Sequence, residues 1–528
     1  MKKVQISPHK DTTIALCLDT LNLDKQALVF CSSKKSAESV AEKIAIILLK
    51  NKKANLDLDK LAYQIENSLQ SPTKQCKRLS KCVQTGIAFH HAGLTSKQRE
   101  LIEDQFRTGK IKIICSTPTL AAGLDLPAFR AIIKDTKRFG PRGMVPIPVL
   151  EYEQMSGRAG RPGQEEYGEA IIIASETEHI NYFVKNYING KVEEIYSKLA
   201  VEPVLRMHIL SLISSKKISS KNQLYSFFDS TFYAFQFGDK GSLHLKLDST
   251  INQLQKWNML IPFEEKNSNS FTSGLDFLKT KNQTLQATPL GERVSQIYID
   301  PLTANTLINS IKKINKNHTS DENFFAITHL ISCSLEMRPL LSLKANEYDE
   351  FHLNFDKQEI LLNEEEFSEI STDEYDSTIK TTFFLCDWAN EISEEKLFDK
   401  YNVRPGEIHA KLNIVDWLLY ASEELCRLEN LHYIIKSLKH ARKRLVEGVK
   451  AELLPLLNFK GIGRIRARVL FNKGIKDVGD IVSIDMNLLT SLIGPALALS
   501  LKKQVGIEEK TTKKEFKGTS QAGLGDFF

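Results

Sequence analysis

Residues 1–180 alternate short apolar runs with longer amphipathic stretches. "QALVFCSS" (26–33), "TGIAFHHAG" (85–93), "KIKIICST" (110–117), "FRAIIKD" (129–135) and "GEAIIIAS" (168–175) are brief, apolar and rich in β-formers. Between them lie segments with helical spacing, such as "KKSAESVAEKIAIILLK" (34–50) and "TSKQRELIEDQFRTGK" (95–110). Apolar strands alternating with helices predict a parallel sheet covered on both faces, an α/β domain over 1–185. Ligands of such sheets bind in the loops beyond the carboxyl ends of the strands.

From about 190 the period changes. "EPVLRMHILSLISS", "SKNQLYSFFDSTFYAF" and "LDSTINQLQKWNMLI" are amphipathic, and the strand-like "SFTSGLDFLKTKNQTLQATPLG" follows them. Three small helices and a hairpin predict a winged-helix domain over 190–292. Residues 293–430 read as an all-helical domain. Residues 431–508, around "LLNFKGIGRIRARVLFNKGI", read as a smaller helical unit, and polar 509–528 as a flexible tail. No internal repeat is apparent.

A chain of 528 residues, 42% hydrophobic and 26% charged, exceeds a single core and supports this multidomain reading. The net charge of +6 identifies no partner, but its distribution does more. Residues 431–480 carry twelve Lys/Arg against four Asp/Glu, whereas 347–376 carries twelve Asp/Glu and a single Lys. The first region suits nucleic acid and the second a solvated acidic face. Eight scattered cysteines without a CxxC pair indicate a reduced, cytoplasmic protein with no structural metal. No apolar run approaches transmembrane length, and "MKKVQISPHKDTT" is too polar for a signal peptide, so no membrane association is expected.

The chemistry concentrates in two blocks. In "STPTLAAGLDLPAF" (116–129), Thr117, Pro118 and Thr119 end a strand, where hydroxyls and free N–H groups can hold a nucleic-acid phosphate. Gly123 and Asp125 form the turn that follows, and Asp125 can accept from a ribose hydroxyl. In "EQMSGRAGRPG" (153–163), Arg158 and Arg161 sit three apart in a glycine-rich turn, an arrangement that aims two guanidinium groups at a phosphate.

With "HHAGL" (90–94) before them, these blocks resemble the second RecA-like motor domain of superfamily-2 helicases. The resemblance extends through "ATPLGERVSQIYIDP" (287–301), "MRPL" (337–340) and "GIGRIRAR" (461–468) to the archaeal fork-repair DNA helicases of the Ski-two-like branch, relatives of the helicase part of DNA polymerase theta. It covers about residues 26–500. It implies a second RecA-like domain followed by winged-helix, helical ratchet and helix-hairpin-helix domains around a translocating strand. Gln154, Arg158 and Arg161 would then be catalytic, facing ATP and Mg²⁺ held by the first motor domain. Trp417, in "NIVDWLLYASEEL", would stack on a base, with core packing as the alternative. An arginine common in the family about two turns earlier is replaced here by Ala410, flanked by His409 and Lys411, and Lys411 is the basic residue expected to contact DNA there.

Gly461 and Gly463 suit a tight hairpin near a phosphate. Arg464, Arg466 and Arg468 follow, some expected on phosphate and others on the motor domain, with a solvated basic helix as the alternative. The segment 134–150 falls where the family carries a strand-separating hairpin. Phe139, Arg142 and Met144 are expected at its tip, and Pro146 and Pro148 predict an irregular return strand. The terminal "QAGLGDFF" resembles a sliding-clamp-binding peptide through Gln521, Leu524, Phe527 and Phe528.

One half of the expected chemistry is missing. ATP hydrolysis needs a GxxxxGK[ST] loop and an acidic DExH-type motif. The GK pairs occur only as "TGKI" (108–111) and "NGKV" (189–192), and "DEYD" (373–376) lies in the acidic region. The expectation is a C-terminal subunit or fragment of a 3′–5′ DNA helicase, with a separate chain supplying the ATP-binding domain and with single-stranded and forked DNA as substrate. A non-catalytic clamp-tethered adaptor, a truncated gene and an RNA helicase of the same branch are the alternatives.

Overall fold

The computed structural model describes residues 6, 9–50, 56–69, 71–123, 125–140, 143–161, 163, 165–174, 176–261, 284–355 and 372–506. The expected wing at 262–283, Arg142, and the terminal Gln521, Leu524, Phe527 and Phe528 lie outside the described residues. The chain divides into two compact units, Met1–Val446 and Glu447–Phe528.

The first unit begins with the expected α/β domain. Its helices are α1 (Thr12–Asn22), α2 (Lys34–Leu49), α3 (Leu56–Glu66), α4 (Lys74–Val83), α5 (Ser96–Arg107), α6 (Val149–Ser156) and α7 (Thr177–Phe183). Polar residues start several of them. Ser33 accepts from the Ser36 N–H to begin α2, and Thr95 with Gln98 forms a capping box on α5.

The strands β1 (Ala27–Phe30), β2 (Ile87–His90), β3 (Ile113–Ser116) and β4 (Arg130–Ile133) are buried along their whole length. With β7 (Glu169–Ile172) they form one parallel sheet in the order β2–β3–β1–β4–β7, Val29 lying between Cys115 and Ile132. Ala41 and Ile44 of α2 and Ile102 and Phe106 of α5 pack into the same core as Phe30, Phe89, Ile114 and Ile132. Burial on both faces explains why these strands read as unbroken apolar runs.

A separate antiparallel hairpin pairs β5 (Lys137–Gly140) with β6 (Gly143–Pro146). It is regular, which corrects the expectation drawn from the two prolines. The Ile147 N–H donates to Thr136 O at 3.0 Å, so the next pair, Lys137 with Pro146, is a non-hydrogen-bonded one. The nitrogen of Pro146 therefore points away from its partner strand, and no ladder bond is lost. Pro148 lies beyond the strand, at the start of α6. Tyr187 fixes the base of the hairpin, its hydroxyl donating toward Ile147 O (3.0 Å) and Thr136 O (3.3 Å).

Beyond the sheet the first unit is helical: α8 (Glu202–Ser214), α9 (Lys221–Asp229), α10 (Phe232–Phe237), α11 (Lys240–Lys256), α12 (Pro289–Ile297), α13 (Pro301–Ile311), α14 (Glu322–Ser332), α15 (Tyr348–Phe355), α16 (Thr372–Ala389), α17 (Glu394–Tyr401), α18 (Pro405–Leu428) and α19 (Ile435–Glu447). The segment read as one amphipathic helix at 220–235 is two, because Thr231 caps a new start by accepting from the Ala234 N–H. A single hydrophobic core runs from Leu205 to Leu445. The boundary expected at 292/293 falls inside α12, and a buried ion pair spans it: Arg206 Nε to Asp300 Oδ1 at 2.6 Å and Nη2 to Oδ2 at 3.1 Å. Leu438, Ala441 and Leu445 of α19 belong to this core, so the first compact unit ends at 446 rather than near 430.

The second unit contains α20 (Arg464–Asn472), α21 (Val478–Ser483), α22 (Met486–Ile493) and α23 (Pro495–Gln504). They close around Leu453, Leu456, Ala467, Leu470, Ile481, Leu489 and Leu501.

Candidate functional site

The carboxyl edge of the sheet carries the two arginine- and threonine-bearing blocks. β3 ends at Ser116, and Pro118 opens a 3-10 turn through Leu120. Thr117 and Thr119 share a hydrogen bond at 2.9 Å between their hydroxyls, with Thr119 exposed. The loop then turns at Gly123, where φ is +97°, and Asp125 stands almost fully in solvent.

The GRAGR segment is stitched to this loop through the backbone. Ala128 N–H donates to Arg158 O at 2.9 Å, and Gly160 N–H returns a bond to Ala128 O at 2.7 Å. The side chains repeat the connection. Arg158 donates from Nε and Nη2 to Ala121 O (3.2 and 2.6 Å), and its Nη1 lies 3.7 Å from Asp125. Arg161 donates from Nε to Pro127 O at 3.1 Å and lies over the Phe106 ring. Burial lowers its pKa, against the opposing influence of Glu165. Gln154 is exposed on α6, one helical turn before Arg158.

A close backbone approach holds the turn in place. A Cβ on Gly168 would lie 2.1 Å from Gly160 N, so no larger residue fits there without moving the backbone. The structure thus brings Gly123, Asp125, Arg158 and Arg161 together on one rim, with Thr117 and Thr119 on the neighbouring strand end.

Other expected residues lie elsewhere. Met144 is exposed on β6, and Phe139 is its cross-strand partner. Trp417 is half-buried on α18 beside the helical core, its Nε1–H donating to Ile297 O at 2.9 Å. Lys411 corrects the expectation of a DNA-facing base. It lies three residues after Ile408 and four before Val415, on the buried stripe of α18. Its ammonium donates to Met337 O (3.1 Å) and Pro339 O (2.7 Å), and burial lowers its pKa.

In the second unit Gly461 adopts φ +88°, and Gly463 precedes the first turn of α20. Arg466 is exposed and donates to Gly461 O at 2.9 Å, Arg464 is half-buried, and Arg468 pairs with Glu452 at 2.7 Å.

Sequence reading overlooked a buried carboxylate, Glu38 of α2, 3% exposed. It accepts from His91 Nε2 (3.1 Å), Arg404 Nε (3.2 Å), Arg78 Nη1 (3.0 Å) and Gln75 Nε2 (3.2 Å). The Gly93 N–H donates to His91 Nδ1 at 3.1 Å, which makes Nε2 the protonated nitrogen. Burial alone would raise the carboxyl, but the His91 hydrogen bond and the charges of Arg404 and Arg78 outweigh it and bring the pKa down to about 2. The available signal was an acid on the stripe of Ala41 and Ala45, at a core position of an amphipathic helix.

The parallel-sheet domain that carries this GRAGR turn, locked to the loop after a strand end, is a helicase C-terminal domain. The helicase conserved C-terminal domain family matches residues 10–163, and the archaeal helicase domain 4 family matches 325–448. The chain is 36% identical to the ATP-dependent DNA helicase Hel308 of Methanococcus vannielii, over 93% of this chain and 67% of that protein. The Hel308 proteins of Methanocella arvoryzae (36%; 94% and 65%) and Pyrococcus horikoshii (35%; 96% and 67%) are similar to the same extent. The chain belongs to the Hel308 family of archaeal DNA helicases. It spans about two thirds of the length of these curated relatives. Among the described residues no helix is long and apolar enough to cross a membrane.

Proposed function

We propose that this chain is the C-terminal subunit or fragment of an ATP-dependent 3′–5′ DNA helicase for fork repair and recombination, working with an ATP-binding motor domain that these 528 residues do not contain. The reading rests on one observation above others: Arg158 is tied to Ala121 O and Arg161 to Pro127 O, so the arginine turn and the strand-end loop form one rigid rim. With ATP and Mg²⁺ seated on the partner domain, hydrolysis of the terminal phosphoanhydride supplies the free energy for translocation.

The residues present fit one side of that site only. Two half-buried guanidinium groups and the amide of Gln154 suit the neutralisation and orientation of phosphate oxygens. Such arginine fingers contribute on the order of 10³–10⁵ in rate. The 528 residues contain no phosphate-cradling GxxxxGK[ST] loop. The tie from Arg158 to the loop bearing Thr117, Thr119 and Asp125 suggests how a change at phosphate reaches a DNA backbone held by those hydroxyls.

The hairpin around Phe139 and Met144 serves as the strand separator, with an exposed apolar side chain at its end. The 190–292 segment acts as a winged helix and 293–446 as the ratchet, Trp417 offering its open face to a base. The second unit acts as a helix-hairpin-helix module through the 461–463 turn, Arg464 and Arg466. The tail residues Gln521, Leu524, Phe527 and Phe528 bind a sliding clamp. Eight free cysteines, seven of them buried, suit a reducing cytoplasm.

The test combines this chain with an ATP-binding motor domain of the same family and measures DNA-stimulated ATPase and fork unwinding. Activity is expected only in the mixture, and Arg161→Ala should abolish turnover while leaving DNA affinity unchanged. ATPase by the isolated chain, or full turnover with Arg161→Ala, refutes the proposal. Stimulation by RNA in place of DNA transfers it to the RNA-acting branch, and DNA binding with an inert mixture leaves the adaptor reading.

A further inference from the structure

Glu38 centres a buried polar network that lies apart from the arginine turn and the strand-end loop. It joins four segments: α2 through Glu38, α4 through Arg78 and Gln75, the loop after β2 through His91, and the start of α18 through Arg404. Arg404 is the residue from which α18 begins, and α18 carries Trp417 three turns later.

Two glycines make the approach possible. Gly406 N–H donates to Gly93 O at 3.1 Å. A Cβ on Gly406 would lie 2.2 Å from Leu94 O and 2.4 Å from Ala92 O, and one on Gly93 would lie 2.3 Å from Arg404 Cδ. Backbone meets backbone at Gly406, and the Arg404 side chain lies against Gly93. Further ion pairs flank the seam, Lys34 with Glu407 and Lys74 with Glu395, the latter at 2.7 Å. A cavity of about 150 Å³ lies alongside, bounded by Arg78, Phe398, Asp399 and Arg404.

We infer that Glu38 and Arg404 are positioning residues of a rigid joint that makes the loop after β2 and the Trp417-bearing helix move as one body. Glu38, 3% exposed, offers almost no surface to a ligand. It acts by anchoring the first turn of α18 to the sheet, so that a displacement of the motor domain becomes a displacement of the helix without slippage. Charge and shape both serve this end. The carboxylate is desolvated but bonded by four donors, an arrangement that is costly to break and admits few alternatives. A two-glycine contact adds a steric stop.

The inference rests on the helicase reading, and the two fail separately. Full-length chains carrying Glu38→Gln, Arg404→Ala or Arg404→Lys are compared with the unaltered chain. Hydrogen exchange is followed at 87–94 and 405–428, with and without an oligothymidylate strand. DNA is expected to slow exchange at both segments of the unaltered chain. In Arg404→Ala and Glu38→Gln the helix should still respond, while the response of the loop falls about fivefold. Arg404→Lys, which keeps the charge, should recover part of it. An equal loop response in Arg404→Ala overturns the joint, as does an unaltered chain whose helix responds and whose loop does not.

If DNA alters neither segment, the helicase reading fails, and the joint is judged on the DNA-free chain. Pulse proteolysis on heating then reads residues 12–188 and 202–446 separately. The two should unfold together in the unaltered chain and apart in Arg404→Ala and Glu38→Gln. Joint unfolding in every variant overturns the inference.

Discussion

Lys411→Met separates a lysine that serves the fold from one that serves DNA. In the structure the ammonium is buried and donates to Met337 O and Pro339 O at 3.1 and 2.7 Å. Methionine matches its stem as far as Cε and lacks the ammonium. Two hydrogen bonds from a charged donor contribute roughly 1.5–3 kcal/mol each, and both carbonyls would be left in the interior. Relief of the desolvated charge offsets part of the loss, leaving a net destabilisation of about 2 kcal/mol.

Urea unfolding of the full chain measures that loss. The sign has a pH signature as well. Because burial lowers the Lys411 pKa, the unfolded chain binds more protons in the alkaline range, so this residue's contribution to stability improves as pH climbs toward 10.5. Lys411→Met lacks that improvement. Affinity for single-stranded DNA is then followed against salt. A phosphate contact would lower the slope of log K against log salt by about 1 on mutation, whereas a structural lysine leaves it unchanged. Unchanged stability with a shallower slope refutes the assignment.

Glu38→Gln should destabilise the chain by about 3 kcal/mol at neutral pH, judged from a carboxyl brought from 4.5 to about 2. A depressed carboxyl stabilises above its unfolded value, so the gap between variant and unaltered chain should close as pH falls from about 4.5 toward 2 in acid-unfolding curves. Gly168→Ala drives a methyl into Gly160 N; a loss of at least about 1–3 kcal/mol in thermal unfolding is expected. Trp417→Ala should weaken oligothymidylate binding by about 1–3 kcal/mol, and Trp417→Phe, which keeps an aromatic face but a smaller one and loses the bond to Ile297 O, should restore part of it in a fluorescence titration.

Four strands of the sheet were legible because they are buried on both faces, and β1 and β2 are each followed by the cap of the next helix, Ser33 and Thr95, so that an apolar run closes on a polar residue. The arginine turn was legible because Gly157, Gly160 and Gly163 surround residues of one chemistry. What could not be read was the direction of single side chains. Lys411 resembles any helical lysine until the stripe of Ile408, Leu412 and Val415 is known to face inward. Glu38 and Arg404 are 366 positions apart, and no local period announces that they meet. The hairpin was located by its proline and glycine content. Its regularity depended on which pairs of the ladder form hydrogen bonds, and residue types alone do not reveal that.

Pro146 has one more consequence. In a two-stranded ribbon the N–H groups of non-hydrogen-bonded pairs face outward, which on β6 are those of Met144 and Pro146. Proline has none, so the outer edge of β6 presents a single donor. The carbonyls of Met144 and Pro146 still face outward, so a third strand finds two acceptors there but only one donor, and one bond of the ladder is lost. The ribbon carries an exposed apolar side chain near its end, and its β6 edge is a poorer template for intermolecular sheet growth than an unbroken strand.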